Sequence, residues 1–553
     1  MKKIFLSLLA LNLLVFSACK KTSLDQKDPN NPTPGGSLST EGGLTAFGAG
    51  LLQRSIFDVP NSGNSNIFAI SMTTHNLLGD EGFVPYGNFG WRWINQVYKV
   101  TLPNSTVITN PFGVTQQESM QGFNNRASGD RNGFFYEWTA CYLFISQANT
   151  MLASAETATL TGDADAKRAT FKAFAYWWKG LCYSRIGSMY LAGLIYDDAN
   201  VNNNYVDHNA IIVEANRNFD LCKAELDKLP ADGDDTYDGL MEQLILTFND
   251  NLNVVSPAMW KRAINTYKAR NLLVNKKTAD MTSADWQAII DLATDGIKAT
   301  DNIFKFGMTP DGNNDLSNGW MHPQGFSSPF VQYEFVSERL VQDFKPGDAR
   351  FTKGILELPY PPAEDATYGL SAFANIRDRG LQFGTRWAFV PVEDGGLWTS
   401  GATNAGVSPF GCTYEENALM LAEAYINKSQ IETGLGYIDA VRDFQASGLA
   451  HVAGTSLNLT QAKEELRKER RIGLATRGTA FFDARRWGVT APATSGGGRA
   501  GAIVYVPKSV AGTSVDTPLS CFMEYNYMDY WDVPQNEIDF NPPAAGSAPV
   551  ANP

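Results

Sequence analysis

Histidine, cysteine and basic charge are all scarce in this chain of 553 residues, and each scarcity argues against a class of function. The four histidines, His75, His208, His322 and His451, form neither an HExxH motif nor a pair spaced i, i+4, which excludes a zincin protease. The six cysteines have no CxxC spacing and predict neither a disulfide framework nor a zinc site. The net charge is -13, whereas a nucleic-acid ligand requires a basic surface. We therefore expect no nucleic-acid partner.

Recognisable catalytic motifs are also missing. The sequence has no GxSxG elbow, no Walker loop and no dinucleotide fingerprint. Adjacent carboxylates such as Asp80-Glu81 and Glu415-Glu416 are the residue types of a glycosidase, whose two carboxyl groups flank the scissile bond. Neighbouring residues usually point in different directions, however, and acidic pairs are common on solvated surfaces. The sequence therefore predicts that the protein is not an enzyme and that it has no metal and no cofactor.

A basic start, an apolar run and two small residues precede Cys19. The apolar run covers residues 4–16, which is shorter than the about 20 apolar residues that a membrane-spanning helix needs. A Cys directly after small residues is typical of a bacterial lipoprotein, so we expect residues 1–18 to be a signal peptide and Cys19 to carry a fatty acid such as palmitate. An ordinary cleaved signal with an unmodified Cys19 is the alternative. Lys20 favours the outer membrane, with the cell surface as the expected side.

Composition divides the remaining chain into a tether and a body. The segment 19–45 contains many Pro, Gly, Asn, Ser and Thr residues, which bury too little apolar surface to order themselves, and it predicts a flexible tether. We divide the body into residues 46–260 and 261–553, and we expect the two regions to form one intertwined globular unit.

Apolar residues recur at helical spacing through most of the body. The pattern predicts helices over residues 138–152, 171–186, 219–229, 257–274, 283–299, 414–428, 431–444 and 460–477. Residues 421–441 have the spacing of a tetratricopeptide-like helix pair, with Gly434 in the usual Ala position. The sequence thus predicts a mainly α fold, a tetratricopeptide-like helical repeat scaffold with few short strands.

Four stretches lack this helical periodicity and contain many of the Gly and Pro residues. They are residues 55–135, 200–215, 302–410 and 488–553. Because long irregular insertions are uncommon unless they have a function, we expect the functional site to lie on them.

Six segments in a fixed order carry a resemblance to a known family. They are Cys19, residues 136–149, Ala269-Arg270, residues 421–425 with Val441-Arg442, residues 467–488, and residues 533–538 followed by Asn541-Pro542. Together they resemble the SusD/RagB family of outer-membrane glycan-binding lipoproteins. The resemblance implies a SusD-like helical scaffold, an oligosaccharide ligand, membrane attachment through the N-terminal lipid, and delivery to a SusC-like TonB-dependent transporter. A peptide- or protein-binding lipoprotein of the same fold, serving peptide import, is the alternative.

The arginine-rich segment 467–488 departs from the family pattern at four positions, two of which are Thr479-Ala480 in place of a His-Arg-like pair. Gly473 and Arg477 replace glutamates that are common in the family. We therefore interpret Arg485 and Arg486 as structural residues rather than ligand-binding ones. Arg guanidinium groups clamp carboxylates and carbonyls and stack on rings, and the segment itself offers Glu469, Asp483 and Trp487 as partners.

Two of the irregular insertions contain aromatic residues in a Gly- and Asn-rich context. A sugar ring is bound by an aromatic platform together with hydrogen-bonding side chains, because rigid rings bury much area at little entropic cost. If the first segment is extended, its two Trp rings share one side. The predicted ligand-binding residues are Tyr86, Trp91, Arg92, Trp93 and Asn95 in the first insertion and Trp320 in the second. Trp387 and Trp398 are weaker candidates, and for every Trp the alternative is packing against the scaffold.

Replacing Cys19 tests the lipid anchor. We expect the Cys19→Ala variant to lose the label when cells are grown with a radioactive fatty acid, because the acylated thiol is absent. Retention of the label by this variant would remove the lipoprotein interpretation.

Overall fold

The computed structural model describes most of the body of the chain. The described residues are 34–57, 67–84, 88–94, 96–110, 113–198, 202–245, 254–308, 334–358, 385–390, 396–397, 406–409, 411–506 and 508–553. Among the predicted lipid-attachment and ligand-binding residues and the weaker Trp candidates, five lie outside these ranges: Cys19, Tyr86, Asn95, Trp320 and Trp398.

Helices form most of the described structure. In the first half of the chain they are α1 (Pro34–Ser37), α2 (Glu41–Phe57), α3 (Ile67–Leu78), α4 (Trp91–Ile94), α5 (Gln116–Phe123), α6 (Phe135–Thr157), α7 (Ala164–Met189), α8 (His208–Leu226), α9 (Asp235–Leu244) and α10 (Pro257–Val274). In the second half they are α11 (Ser283–Thr294), α12 (Glu338–Val341), α13 (Ala349–Gly354), α14 (Tyr414–Asn427), α15 (Ile431–Phe444), α16 (Leu459–Gly473), α17 (Ala480–Arg486), α18 (Lys508–Ala511) and α19 (Gln535–Ile538). None of these helices is both long and apolar enough to cross a bilayer.

The strands are short and form antiparallel sheets. They are β1 (Gly82–Phe83), β2 (Lys99–Thr101), β3 (Val107–Thr109), β4 (Ala192–Gly193), β5 (Val206–Asp207), β6 (Lys305–Met308), β7 (Phe335–Val336), β8 (Ile355–Glu357), β9 (Trp387–Phe389), β10 (Gly406–Pro409), β11 (Arg499–Val506) and β12 (Thr517–Glu524). One four-stranded sheet has the order β1-β7-β9-β8 and another the order β11-β12-β2-β3, while β6 pairs with β10 and β4 with β5. The second sheet joins strands from opposite halves of the chain, with Phe522 opposite Thr101.

The predicted mainly α scaffold with few short strands is confirmed, and several helix limits agree closely with the sequence pattern. α10 and α15 cover the predicted residues, and Pro257 occupies the first turn of α10, where its missing N–H is harmless. α14 and α15 form a tightly packed pair. A Cβ atom on Gly434 would lie 2.7 Å from the Ala422 carbonyl oxygen, so the crossing is closer than the Ala of the usual motif would permit.

Other limits differ from the sequence pattern for local reasons. α2 begins inside the predicted tether of residues 19–45, and its Leu44 is fully buried. α8 begins inside the stretch 200–215, which the sequence predicts to be irregular, because Asp207 caps its first turn. The stretch 488–553 contains the eight-residue strands β11 and β12. α9, which has no counterpart among the predicted helices, is capped by Asp234 in the same manner.

The main core lies among α6, α7, α8 and α10, and aromatic rings fill it. Phe144 stacks on Trp178 with ring centroids 4.7 Å apart, and Trp177 meets Trp260 edge to face. Two smaller cores extend the scaffold, one among α14, α15 and α16 and the other among α10, α11 and α14. Each helix pair therefore buries its apolar face against its neighbour, as expected of stacked helical repeats.

Trp91 on α4 belongs to the main core and is fully buried. Its Nε1 donates to Thr74 Oγ1 at 3.0 Å, and its ring meets the Phe89 ring at a centroid distance of 4.9 Å. The indole ring thus packs against other side chains inside the protein, and its N–H has a hydrogen-bond acceptor there.

We expect Trp91→Ala to lower the free energy of unfolding by about 3–5 kcal/mol in urea denaturation, because it leaves a large cavity. Trp91→Phe is the matched control. It keeps a ring and loses the bond to Thr74, so it should cost only about 1–3 kcal/mol. Wild-type stability of Trp91→Ala would show that the ring does not support the core.

Candidate functional site

The first predicted aromatic platform is not exposed in the structure. Trp91 is fully buried, and Trp93 retains only 9% of its surface, with its ring stacked on Phe123 at a centroid distance of 4.6 Å. The prediction that these two rings face a sugar is therefore wrong. The reason is conformational, because residues 91–94 are helical rather than extended, and residues two positions apart on a helix point to different sides.

The other predicted ligand residues remain untested. Arg92 lies on α4 between the two buried Trp residues. Tyr86, Asn95 and Trp320 lie outside the described residues and stay predictions. Trp387 is half-buried, and its Nε1 donates to Glu338 Oε2 at 3.1 Å, which favours the packing interpretation for that ring.

A cleft of about 330 Å³ lies between the end of α3, helices α16 and α17, and strand β11. Seven of its lining residues are charged, and the others include one indole ring and one phenol ring. The lining residues are Leu78, Gly79, Asp80, Gln342, Asp343, Glu464, Arg467, Lys468, Arg471, Ala480, Ala484, Trp487, Val489, Thr490, Arg499, Ala500 and Tyr525. Its volume is at the lower end of the range of small-molecule sites, which is about 300–1,000 Å³.

Asp343 is the ionic centre of this cleft. Its carboxylate accepts from Arg467 at 2.8 Å, from Arg471 at 2.8 Å and from Arg499 at 2.9 Å, and only 1% of the side chain is exposed. Burial alone would raise the pKa of Asp343, but Arg499 and then Arg471 and Arg467 outweigh it and hold that pKa far below its usual value. One buried carboxylate thus fixes three arginines from two separate elements.

Asp80 closes the inner end of the cleft. It has a positive φ of 53°, which places its carboxylate against the Arg339 guanidinium at 2.8 Å and under the Tyr525 hydroxyl, which donates to it at 2.8 Å. Burial opposes ionisation of Asp80, yet Arg339 lowers its pKa to about 2. The neighbouring Glu81 is buried as well and accepts from the backbone N–H of Thr476. This acidic pair therefore holds the turn in place.

The arginines of α17 are structural, as the sequence predicts. Arg485 donates to the carbonyl oxygens of Ser188, Val274 and Asp529, each at 2.8 Å, so it binds the C-terminal ends of α7 and α10. Arg486 joins the carboxylates of Asp483 and Glu423.

These bonds place the following residue, Trp487, at the cleft. Its Nε1 donates to Glu423 Oε1 at 3.3 Å, and the Arg486 guanidinium lies 4.8 Å from its ring centroid. Of the predicted partners, Asp483 binds within the segment, whereas Glu469 binds Arg350 and Arg442 from other elements.

The sequence signalled part of this cleft. Arg467, Lys468, Arg471 and Trp487 all belong to the segment that stands out in the sequence, although the sequence indicates only a structural role for it. Residues such as Asp343, Thr490 and Arg499 were missed, because they are distant in the chain and no local pattern marks them. Within the described ranges no group of three or more His, Cys, Asp and Glu side chains is arranged to hold a metal ion.

Replacing Asp343 tests the ionic centre. A carboxylate with a lowered pKa contributes stability that is present above its unfolded pKa of about 3.8 and is lost as the pH falls towards its folded pKa. We expect Asp343→Asn to lower the free energy of unfolding by about 3–5 kcal/mol at pH 7, because three arginines lose their common partner. The difference from the wild type should shrink below about pH 4.

Asp280→Asn is the matched control, since that carboxylate is exposed at the surface. It should leave the free energy of unfolding unchanged at pH 7 and at pH 3. An equal loss of stability for Asp343→Asn at pH 7 and pH 3 would contradict the ionic role.

The comparison with known proteins identifies the fold. Residues 414–544 match the model of the SusD family. No curated protein is significantly similar to the sequence. A SusD-like carbohydrate-binding protein from Bacteroides fragilis is 14% identical, with a TM-score of 0.59 over 91% of this chain and 98% of that one.

Two further solved structures have the same fold. A protein crystallised with a xylogluco-oligosaccharide is 14% identical, with a TM-score of 0.56 over 92% of this chain and 99% of that one. A SusD homologue from Bacteroides thetaiotaomicron is 14% identical, with a TM-score of 0.51 over 86% of this chain and 95% of that one. The chain therefore has the SusD-like fold over most of its length, and its residues 414–544 are similar to the SusD family.

Proposed function

We propose that the protein is a non-catalytic, lipid-anchored outer-membrane protein that binds oligosaccharides and delivers them to a SusC-like TonB-dependent transporter. The observation that carries this proposal is the SusD-family match over residues 414–544, on a fold shared with a SusD-like carbohydrate-binding protein. The neighbour crystallised with a xylogluco-oligosaccharide supports the same ligand class.

The carboxyl groups of the cleft support binding without cleavage. A glycosidase needs a general acid whose pKa is raised so that it keeps its proton near neutral pH. Of the lining carboxyls, Asp80 has a pKa of about 2, Asp343 has one far below its usual value, and Glu464 has one that Arg467 lowers against the effect of burial. All three are therefore ionised at neutral pH and poor proton donors.

Two carboxyl groups beside β1 and β7 have raised pKa values, but both are buried where a substrate cannot reach them. Burial raises the pKa of Glu81 to about 8 and that of Glu334 well above its usual range. Each residue is only 1% exposed, and neither lines the cleft. Their protons stabilise the packing around β1 and β7, because a neutral carboxyl is less costly to bury than a charged one.

Glycan capture is tested on Trp320, which remains the predicted aromatic platform. We expect Trp320→Ala to reduce affinity for the retained polysaccharide by about tenfold in affinity electrophoresis, because ring stacking contributes about 0.5–1.5 kcal/mol beyond the buried area. Phe540→Ala is the control, since that ring is also large and is 74% exposed. It should leave retention unchanged.

Three outcomes would count against the proposal. Unchanged retention of a folded Trp320→Ala variant would reject that residue as the platform. Failure of the wild type to bind any polysaccharide in a broad panel would reject the function, as would the release of new reducing ends during incubation. Trp91→Ala is unsuitable for this purpose because it removes part of the core.

A further inference from the structure

The cleft beside Asp343 contains more positive than negative charge, although the whole chain is acidic. Its walls carry Arg467, Lys468, Arg471 and Arg499 against the carboxylates of Asp80, Asp343 and Glu464. The charge of Asp80 is in addition balanced by Arg339, whose Nη2 lies 2.8 Å from Asp80 Oδ1. Cations therefore outnumber carboxylates, and an anion entering the cleft meets a net attraction.

Two of these cations retain unused hydrogen-bonding capacity. Lys468 Nζ lies 3.7 Å from Glu464 Oε1, which is beyond hydrogen-bonding distance, and 33% of its side chain is exposed. Arg499 donates through Nη2 alone, to Asp343 and to the Arg339 carbonyl, so the described residues give its Nε and Nη1 no acceptor. Burial and the nearby Arg471 also lower the pKa of Arg499, as expected of a cation with too little counter-charge.

A neutral hydrogen-bonding group lines the same cleft. Thr490 is 2% exposed, and its Oγ1 has no hydrogen-bond partner among the described residues. Buried hydroxyl groups normally have a partner, so an unpartnered one on the wall of a cleft indicates a ligand group that can bond to it. Trp487 lines the cleft as well and provides an aromatic surface beside these polar groups.

We propose that this cleft binds the carboxylate-bearing ring of a uronic acid, with its carboxylate on Lys468 and Arg499 and a ring hydroxyl on Thr490. The proposal deepens the proposed function and rests on it, since it names acidic glycans as the substrate class. A singly charged carboxylate fits better than a phosphate of about −1.5 to −2 charge, because Asp343 and Glu464 in the same walls repel a dianion more strongly. The aromatic and hydroxyl groups favour a sugar acid over a simple carboxylate.

Saturation-transfer NMR on the detergent-solubilised full chain tests the ligand class. The probes are D-galacturonate and D-glucuronate, each compared with its neutral parent, D-galactose or D-glucose, from which it differs only at C6. Acetate provides the carboxylate without the ring. We expect at least one uronate to bind about tenfold more tightly than its parent sugar and than acetate, because a charge-assisted bond is stronger than a neutral one.

Two substitutions test the location. Lys468→Glu should weaken uronate binding about tenfold. Lys463→Glu makes the same charge change at an exposed position of the same helix that does not line the cleft, and it should change binding by less than about twofold. Thr490→Val should weaken uronate binding about fivefold without lowering the melting temperature, because the hydroxyl has no protein partner to lose.

The outcomes separate this proposal from the broader function. Uronates that bind no better than their neutral parents or acetate would overturn the ligand class, and an unaffected Lys468→Glu variant would overturn the location. In either case retention on a neutral polysaccharide would leave the glycan-binding function standing. A drop in melting temperature for Thr490→Val with unchanged uronate affinity would show that Thr490 is only structural.

Discussion

The scaffold depends on the contact between one guanidinium group and the ends of two long helices. Arg485 donates to Ser188 near the end of α7 and to Val274 at the end of α10, and it also donates to Asp529 in the segment after β12. Carbonyl groups in the last turn of a helix have no partner within the helix and carry the negative end of its dipole. A buried cation therefore both donates hydrogen bonds to these groups and balances their negative charge. Three distant parts of the chain thereby become fixed relative to α17.

The neighbouring ionic groups extend this arrangement in two directions. Arg486 connects Asp483 to Glu423 on α14, and Arg470 binds the same Asp483 from α16. On the other side, the Asp343 carboxylate accepts hydrogen bonds from Arg467, Arg471 and Arg499, which line the cleft. Buried charges are costly unless each has a partner, and such networks specify one arrangement more strongly than they stabilise it. The arginines that line the cleft thus belong to a buried ionic network that also holds the scaffold together.

The sequence predicted those features that local patterns encode. The limits of α10 follow from Pro257 and from the apolar spacing, and the close crossing at Gly434 follows from a small residue within a helix pair. The structural role of Arg485 followed from its surroundings of aromatic and acidic residues. The exposure of Trp91 and Trp93 was predicted wrongly, because it assumed an extended segment where a single helical turn forms. The gathering of Asp343 with Arg499 depends on long-range packing, which no local pattern contains.

The sheet in which β12 lies beside β2 has a consequence for folding. Phe522 pairs with Thr101, so strands from opposite halves of the chain must meet before this sheet exists. Contacts between parts so far apart form slowly, because the loop that joins them must first close. During synthesis β2 can pair with β3, but its other edge has to wait unpaired until nearly the whole polypeptide has been made. A chaperone that covers exposed strand edges would protect this edge of β2 until β12 has been made.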